Sequence, residues 1–151
     1  MKKKLLLFTF FLMLQNCGFS PIYSEYKNKN YKFEVIELTG SDEINNFVNI
    51  QIKNYSNSFS ENILRMKIKT NYEKEILSKN TAGKATNYLI TKKIEFTILG
   101  NEKNQNFSFS EQTKTTNIEN KFDFENYEKS IKNNFVSSSI EKLILKITTN
   151  Q

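Results

Sequence analysis

The stretch Leu64–Tyr72, LRMKIKTNY, alternates apolar side chains with charged or polar ones. Because successive side chains of a strand point to opposite faces, this period of two predicts a strand with one buried and one solvated face. The apolar set begins with Leu64, Met66 and Ile68, and the solvated set is Arg65, Lys67 and Lys69. This stretch therefore predicts a sheet that is covered on one side and open on the other.

Five further elements are predicted around this strand from hydrophobic periodicity. They are a strand over Tyr31–Leu38, a helix over Asp42–Tyr55, a strand over Tyr88–Ile98, a strand over Phe107–Thr116 and a helix over Phe124–Thr148. Short connections between the last three strands favour antiparallel pairing. We therefore predict an α+β two-layer sandwich in the order β-α-β-β-β-α, with about four largely antiparallel strands and two helices on one face.

The last helix carries two apolar stripes that are rotated relative to each other. The first runs from Phe124 to Phe135 and the second from Val136 to Ile147, with Ser137–Ser139 at the change. Either the helix bends there, or its second half contacts partners on two sides. A strand over residues 143–147 is the third alternative.

The N-terminus has the layout of a secretory signal. Three lysines precede Leu5–Leu14, an apolar run too short to span a bilayer. The only cysteine, Cys17, follows, and this arrangement resembles a bacterial lipobox, whose cysteine receives a covalent lipid. We predict a signal peptide over residues 1–16, a lipidated N-terminus and tether over 17–30, and one α+β domain over 31–151. Asn16 stands where a smaller residue is usual, which leaves an uncleaved inner-membrane leader as an alternative.

Composition limits the function classes. The 22 basic residues exceed the 16 acidic ones, but without Lys2, Lys3 and Lys4 the excess falls to three, so nucleic acid is not an expected partner. There is no histidine, and the lone cysteine is assigned to the lipid, so no metal or other cofactor is expected. The acidic pairs Asp42–Glu43 and Asp123/Glu125 lie at predicted helix starts, where carboxylates suit the helix dipole. We therefore expect no enzyme.

The segment Cys17–Tyr23, CGFSPIY, resembles the start of mature LptE, the lipopolysaccharide-assembly lipoprotein, in its alphaproteobacterial form. Members of that family often begin Cys-Gly-Phe-Arg-Pro-Leu-Tyr, so Ser20 and Ile22 depart from the pattern. The resemblance implies an outer-membrane lipoprotein that plugs the LptD β-barrel, supports its assembly and takes part in lipopolysaccharide transport to the cell surface. Gly18 after the cysteine favours the outer membrane. The alternative is another outer-membrane lipoprotein that assists a different barrel, a secretin or another envelope complex.

The open sheet face offers candidate contacts for lipopolysaccharide phosphates. They are Arg65, Lys67, Lys69, Lys93 and Lys114. Arginine binds phosphate as a bidentate fork and lysine as a point charge. The alternative is that these side chains only keep a wet face soluble. Four aromatic residues, Tyr72, Tyr88, Phe107 and Phe109, are predicted either to contact the barrel or to belong to the core.

Overall fold

The computed structural model describes residues 31–100 and 103–149. The elements are β1 (Lys32–Thr39), α1 (Asp42–Tyr55), β2 (Ile63–Lys79), β3 (Ala85–Ile98), β4 (Gln105–Thr116) and α2 (Lys121–Thr149). The predicted order and the α+β class are confirmed. The tether and Cys17 lie outside the described residues.

The four strands form one mixed sheet in the order β1-β2-β3-β4. β1 pairs with β2 in parallel, whereas β2 with β3 and β3 with β4 are antiparallel. A parallel pair cannot be joined by a hairpin, so the chain crosses back over the sheet, and α1 is that crossover. Both helices therefore cover one face, and we call the other face the open face.

The β2–β3 hairpin is longer than the sequence predicts. β2 runs on past Tyr72 to Lys79, and β3 already begins at Ala85. The added residues of β2 do not alternate, but backbone pairing with β3 continues through a register shift after Ile76. The hairpin tip and the start of α2 lie at one end of the sheet, which we call the distal end. The start of β1 and the end of α2 lie at the other, the proximal end.

Gly40 makes the turn from β1 into α1. Its φ is +107°, and a Cβ there would lie 1.8 Å from the carbonyl oxygen of Thr70. The Thr70 hydroxyl accepts the N–H of Ser41 at 3.0 Å and lies 2.7 Å from Oδ1 of Asn45. The start of α1 is thus fastened directly to the middle of β2.

α2 is one uninterrupted helix, so a strand over residues 143–147 is wrong. Its second half buries two adjacent rows because it contacts both α1 and the sheet. On one side the Tyr55 hydroxyl of α1 donates to Glu141 at 3.2 Å. On the other, the Lys146 ammonium lies over the ring of Phe109 at 5.3 Å. Two-sided packing therefore accounts for the second apolar stripe.

The hydrophobic core fills the space between the helices and the sheet. Its most deeply buried members are Ile44, Val48, Met66, Ile94, Phe96, Val136, Ile140 and Leu143. Met66 and Ile68 lie on the helix-covered face, as the alternation of Leu64–Tyr72 predicts.

Candidate functional site: the open face and the cluster beneath it

All five candidate phosphate-binding residues lie on the open face. Arg65, Lys67 and Lys69 alternate along β2 with buried or partly buried residues, and Lys93 and Lys114 do so on β3 and β4. Cross-strand neighbours share a face, and the register brings Lys69 beside Glu95 and Asn71 beside Lys93. Arg65, Lys67, Lys69 and Lys93 therefore form one group.

Lys114 stands apart from this group. It pairs with Leu89, which in turn pairs with Glu75 of β2. Its position on β4 is four residues from Ser110, the partner of Lys93, which is about 13 Å along the strand. A single phosphate cannot bridge Lys114 and Arg65.

Three of the four grouped cations are already paired with carboxylates. Arg65 Nε lies 3.0 Å from Glu34 Oε2. Lys67 Nζ lies 2.9 Å from Glu37 Oε2, and Lys93 Nζ lies 2.6 Å from Glu95 Oε1. Four cations thus face three carboxylates, so this part of the face carries mixed charge with a small positive excess.

Glu95 sits between two lysines on neighbouring strands. The hydrogen bond from Lys93 lowers the pKa of Glu95, the charge of Lys93 adds to this, and the charge of Lys69 contributes less. The carboxylate therefore stays ionised under any condition near neutrality, and it remains a competitor for any anion that approaches these two ammonium groups.

The four aromatic residues all lie on the helix-covered face. Tyr72, Phe107 and Phe109 are partly buried against the core. Tyr88 packs against Phe124 of α2, with ring centroids 5.4 Å apart. All four have packing partners within the chain itself.

A polar cluster with a buried centre, Glu128 and Lys132, lies beneath the distal half of the sheet, and the sequence analysis does not predict it. We define the polar cluster as Glu43, Tyr72, Lys74, Glu128 and Lys132. The Tyr72 hydroxyl donates to Glu128 Oε1, and Lys74 Nζ lies 3.0 Å from the same oxygen. Lys132 Nζ donates to Glu43 Oε2 and lies 4.0 Å from the centre of the Tyr72 ring.

Every charge in the polar cluster has a partner of opposite sign. Glu128 is 8% exposed and Lys132 is 6% exposed. Within the described ranges, no buried side-chain nitrogen or oxygen lacks a hydrogen-bond partner. Burial raises the pKa of Tyr72, and the hydrogen bond to Glu128 raises it further, so the phenol stays neutral.

Lys92 lies beside the polar cluster and is fully buried. Register places it opposite Tyr72 on one side and Glu111 on the other. Its Nζ lies 2.6 Å from Glu111 Oε1 and 3.1 Å from Thr113 Oγ1, and 5.6 Å from the Phe135 ring. One sequence signal marks it: Lys92 interrupts the apolar alternation of β3.

Comparison with known proteins identifies a shared fold but no family. No protein-family model matches the chain, and no curated protein matches it. Among solved structures, the rare lipoprotein B of Shewanella oneidensis superimposes with a TM-score of 0.55 at 14% identity, over 78% of this chain and 100% of that one. A minor lipoprotein from Acinetobacter baumannii gives a TM-score of 0.49 at 13% identity, over 80% and 94% of the two chains. The first likeness shows a shared fold, and the second is too low to support an argument.

Two features are absent from residues 31–100 and 103–149. No helix between residues 31 and 149 is both long and apolar enough to cross a membrane. Nowhere in the described ranges do three or more histidine, cysteine, aspartate or glutamate side chains gather as a metal site would require.

Proposed function

We propose that this chain is an outer-membrane lipoprotein, held at the periplasmic side by lipid on Cys17. In this proposal it plugs an LptD-type β-barrel, supports its assembly and takes part in lipopolysaccharide transport, without catalysing a reaction. One observation carries the proposal: the LptE-like segment Cys17–Tyr23 precedes a domain that shares its fold with a solved rare lipoprotein B.

The dimensions of the domain are compatible with a plug. β2 has 17 residues, which correspond to about 53 Å of strand. The apolar band of an outer-membrane barrel is about 25 Å tall, so β2 is long enough to cross the band and extend beyond it. Four strands span about 14 Å, and a helix layer adds about 10 Å, so only a wide barrel admits the domain.

The open face has the chemistry that a barrel lumen requires. Lumens are polar, and the open face presents ion pairs on its β1–β2 side. On the β4 side it presents hydroxyl and amide groups, among them Ser108, Ser110 and Gln112. Such groups form hydrogen bonds with a polar wall without requiring desolvated charge.

Purification of the partner tests the plug. The full chain, tagged at its C-terminus, is extracted from outer membranes in detergent and captured. We expect a large LptD-type barrel to copurify, and depletion of the chain to lower surface lipopolysaccharide. The proposal is abandoned if the lipidated chain captures a secretin or another barrel, or none at all.

A charge-swap experiment tests the phosphate contacts separately. Arg65→Glu combined with Glu34→Arg keeps the ion pair but moves the cation from β2 to β1. If lipopolysaccharide phosphates bind Arg65, the swap weakens lipopolysaccharide binding, whereas unchanged binding and delivery leave these residues a solubilising role. The matched control is the swap Lys121→Glu with Glu125→Lys, an exposed ion pair on α2 that lies off the open face.

A further inference from the structure

The domain is joined to its tether at the proximal end, and a short loop encloses that junction. Tyr31 is the first described residue, and β1 begins at Lys32. The N–H of Asn57 donates to the Tyr31 carbonyl at 2.9 Å, and the N–H of Lys32 donates to the Asn62 carbonyl at 2.8 Å. The loop over residues 56–62 is thus hydrogen-bonded on both sides of the junction.

Phe59 projects from the tip of this loop. It is 96% exposed, while the other exposed large apolar side chains in the described ranges are 47% to 68% exposed. The turn beneath it is held by the side chain of Asn57, whose Oδ1 accepts the Phe59 N–H at 3.0 Å. The Ser60 N–H also donates to the Asn57 carbonyl, at 3.1 Å. A fixed turn thus presents a bare aromatic ring to the surroundings.

We propose that Phe59 inserts into the phospholipid surface that holds the lipid of Cys17, so that the domain has a second membrane contact. This inference rests on the lipid anchor of the proposed function. Thirteen residues, 18–30, separate Cys17 from Tyr31, so the junction lies at most about 50 Å from the anchored sulfur. The tether enters the domain beside the loop bonded to Tyr31, and for this reason we orient that loop toward the leaflet.

The chemistry of the loop fits a headgroup region. Aromatic side chains favour the boundary between acyl chains and headgroups. Ser58 and Ser60 flank Phe59 and can hydrogen-bond there, and Lys32 lies exposed beside the junction, where anionic lipids attract it. A polar barrel lumen, by contrast, would leave the Phe59 ring in water.

The chain contains no tryptophan, so one substitution supplies a unique fluorescent reporter. Phe59→Trp and Phe122→Trp are made in the full, lipidated chain and reconstituted in vesicles of phosphatidylethanolamine and phosphatidylglycerol, with or without brominated acyl chains. Phe122 is the matched control because it is 68% exposed at the distal end. We expect bromine to quench Phe59→Trp by about half and Phe122→Trp hardly at all.

Each other outcome overturns the inference in a different way. If Phe59→Trp is unquenched although the chain is on the vesicles, the second contact is wrong and the lipid anchor stands. If both reporters are quenched alike, the proximal end is not the membrane contact. If mass spectrometry shows Cys17 without lipid and the chain stays off the vesicles, the inference and the proposed function fall together.

Discussion

The two halves of α2 cover the same sheet by different physical means. The second half buries apolar residues against α1 and the sheet, namely Val136, Ile140, Leu143, Ile144 and Ile147. The first half buries Glu128 and Lys132 instead, with Phe124 and Phe135 as its apolar contacts. We call these the apolar half and the polar half of the helix.

The difference predicts how the stability of the domain responds to substitutions in each half of the helix. Apolar burial is non-directional and roughly proportional to area, so the apolar half does not depend on any one partner. A buried ion pair is different, because loss of one member leaves the other charged and unpaired. In the polar half, which lies near the distal hairpin, the effect of a substitution therefore depends on which member of an ion pair it removes.

The largest expected effect comes from a cavity in the apolar half. Leu143 is fully buried, so Leu143→Ala removes its packing and leaves a void, lowering the free energy of unfolding by about 3 kcal/mol. Urea denaturation followed by circular dichroism measures this. Leu77→Ala, at a half-exposed leucine of the hairpin, should lower it by less than about 1 kcal/mol. Equal losses would show that the apolar half is not the centre of stability.

The next effect is an asymmetry within one ion pair. Glu111→Ala leaves the fully buried Lys92 ammonium with Thr113 as its remaining hydrogen-bond acceptor and should lower the free energy of unfolding by about 2 kcal/mol. Lys92→Met removes the buried charge and keeps the volume, so it should change stability by less than about 1 kcal/mol. Glu111 itself is half-exposed, so water can solvate it once Lys92 is gone. A more harmful Lys92→Met would mean that the pair is a net source of stability.

The sequence predicts the elements well where a local pattern encodes them. The alternation in Leu64–Tyr72 correctly assigns both faces of β2, and the predicted bounds of α1 match the structure. Glu73–Lys79 does not alternate, so local periodicity does not predict the distal part of β2, and only its pairing with β3 reveals it. Local periodicity thus predicts the half-buried elements and not the extended hairpin.

The site was less predictable because its partners are distant in sequence. Tyr72 and Glu128 are 56 residues apart, and Lys132 and Glu43 are 89 apart. The period of two predicts that Arg65 and Lys67 lie on the solvated face of the sheet. Their ion pairs with Glu34 and Glu37 depend on the parallel register between β1 and β2 and on the irregularity in β1. No local pattern specifies that register.

A smaller effect is the pH dependence of the free energy of unfolding, which should differ between Tyr72, beside the polar half, and Tyr55, beside the apolar half. Burial and the Glu128 hydrogen bond raise the Tyr72 pKa above its usual 10.0. The resulting stability is therefore complete below about pH 10 and lost as the pH rises further, when only the unfolded chain ionises. Tyr72→Phe should lower the free energy of unfolding by about 1 kcal/mol at neutral pH and flatten its decline above about pH 10.

Tyr55→Phe is the control for the tyrosine experiment. Burial and Glu141 also raise the pKa of Tyr55, but it lies beside the apolar half, and its shift is smaller. Denaturation at a series of alkaline pH values should therefore show less flattening for Tyr55→Phe than for Tyr72→Phe. The reverse order would contradict the larger effect assigned to the hydrogen bond between Tyr72 and Glu128.

The smallest expected effect is the coupling between Arg65 and Glu34 on the open face. Their side chains are 62% and 47% exposed, so solvent screens the attraction, and a double-mutant cycle with alanine should give about 0.5 kcal/mol. That coupling should fall further in high salt. The same cycle for Lys132 and Glu43 should give more than about 1 kcal/mol, because the Lys132 side chain is nearly buried. If the two couplings are equal and equally sensitive to salt, the polar half is as well solvated as the open face, and its carboxylates and lysines are ordinary surface charges.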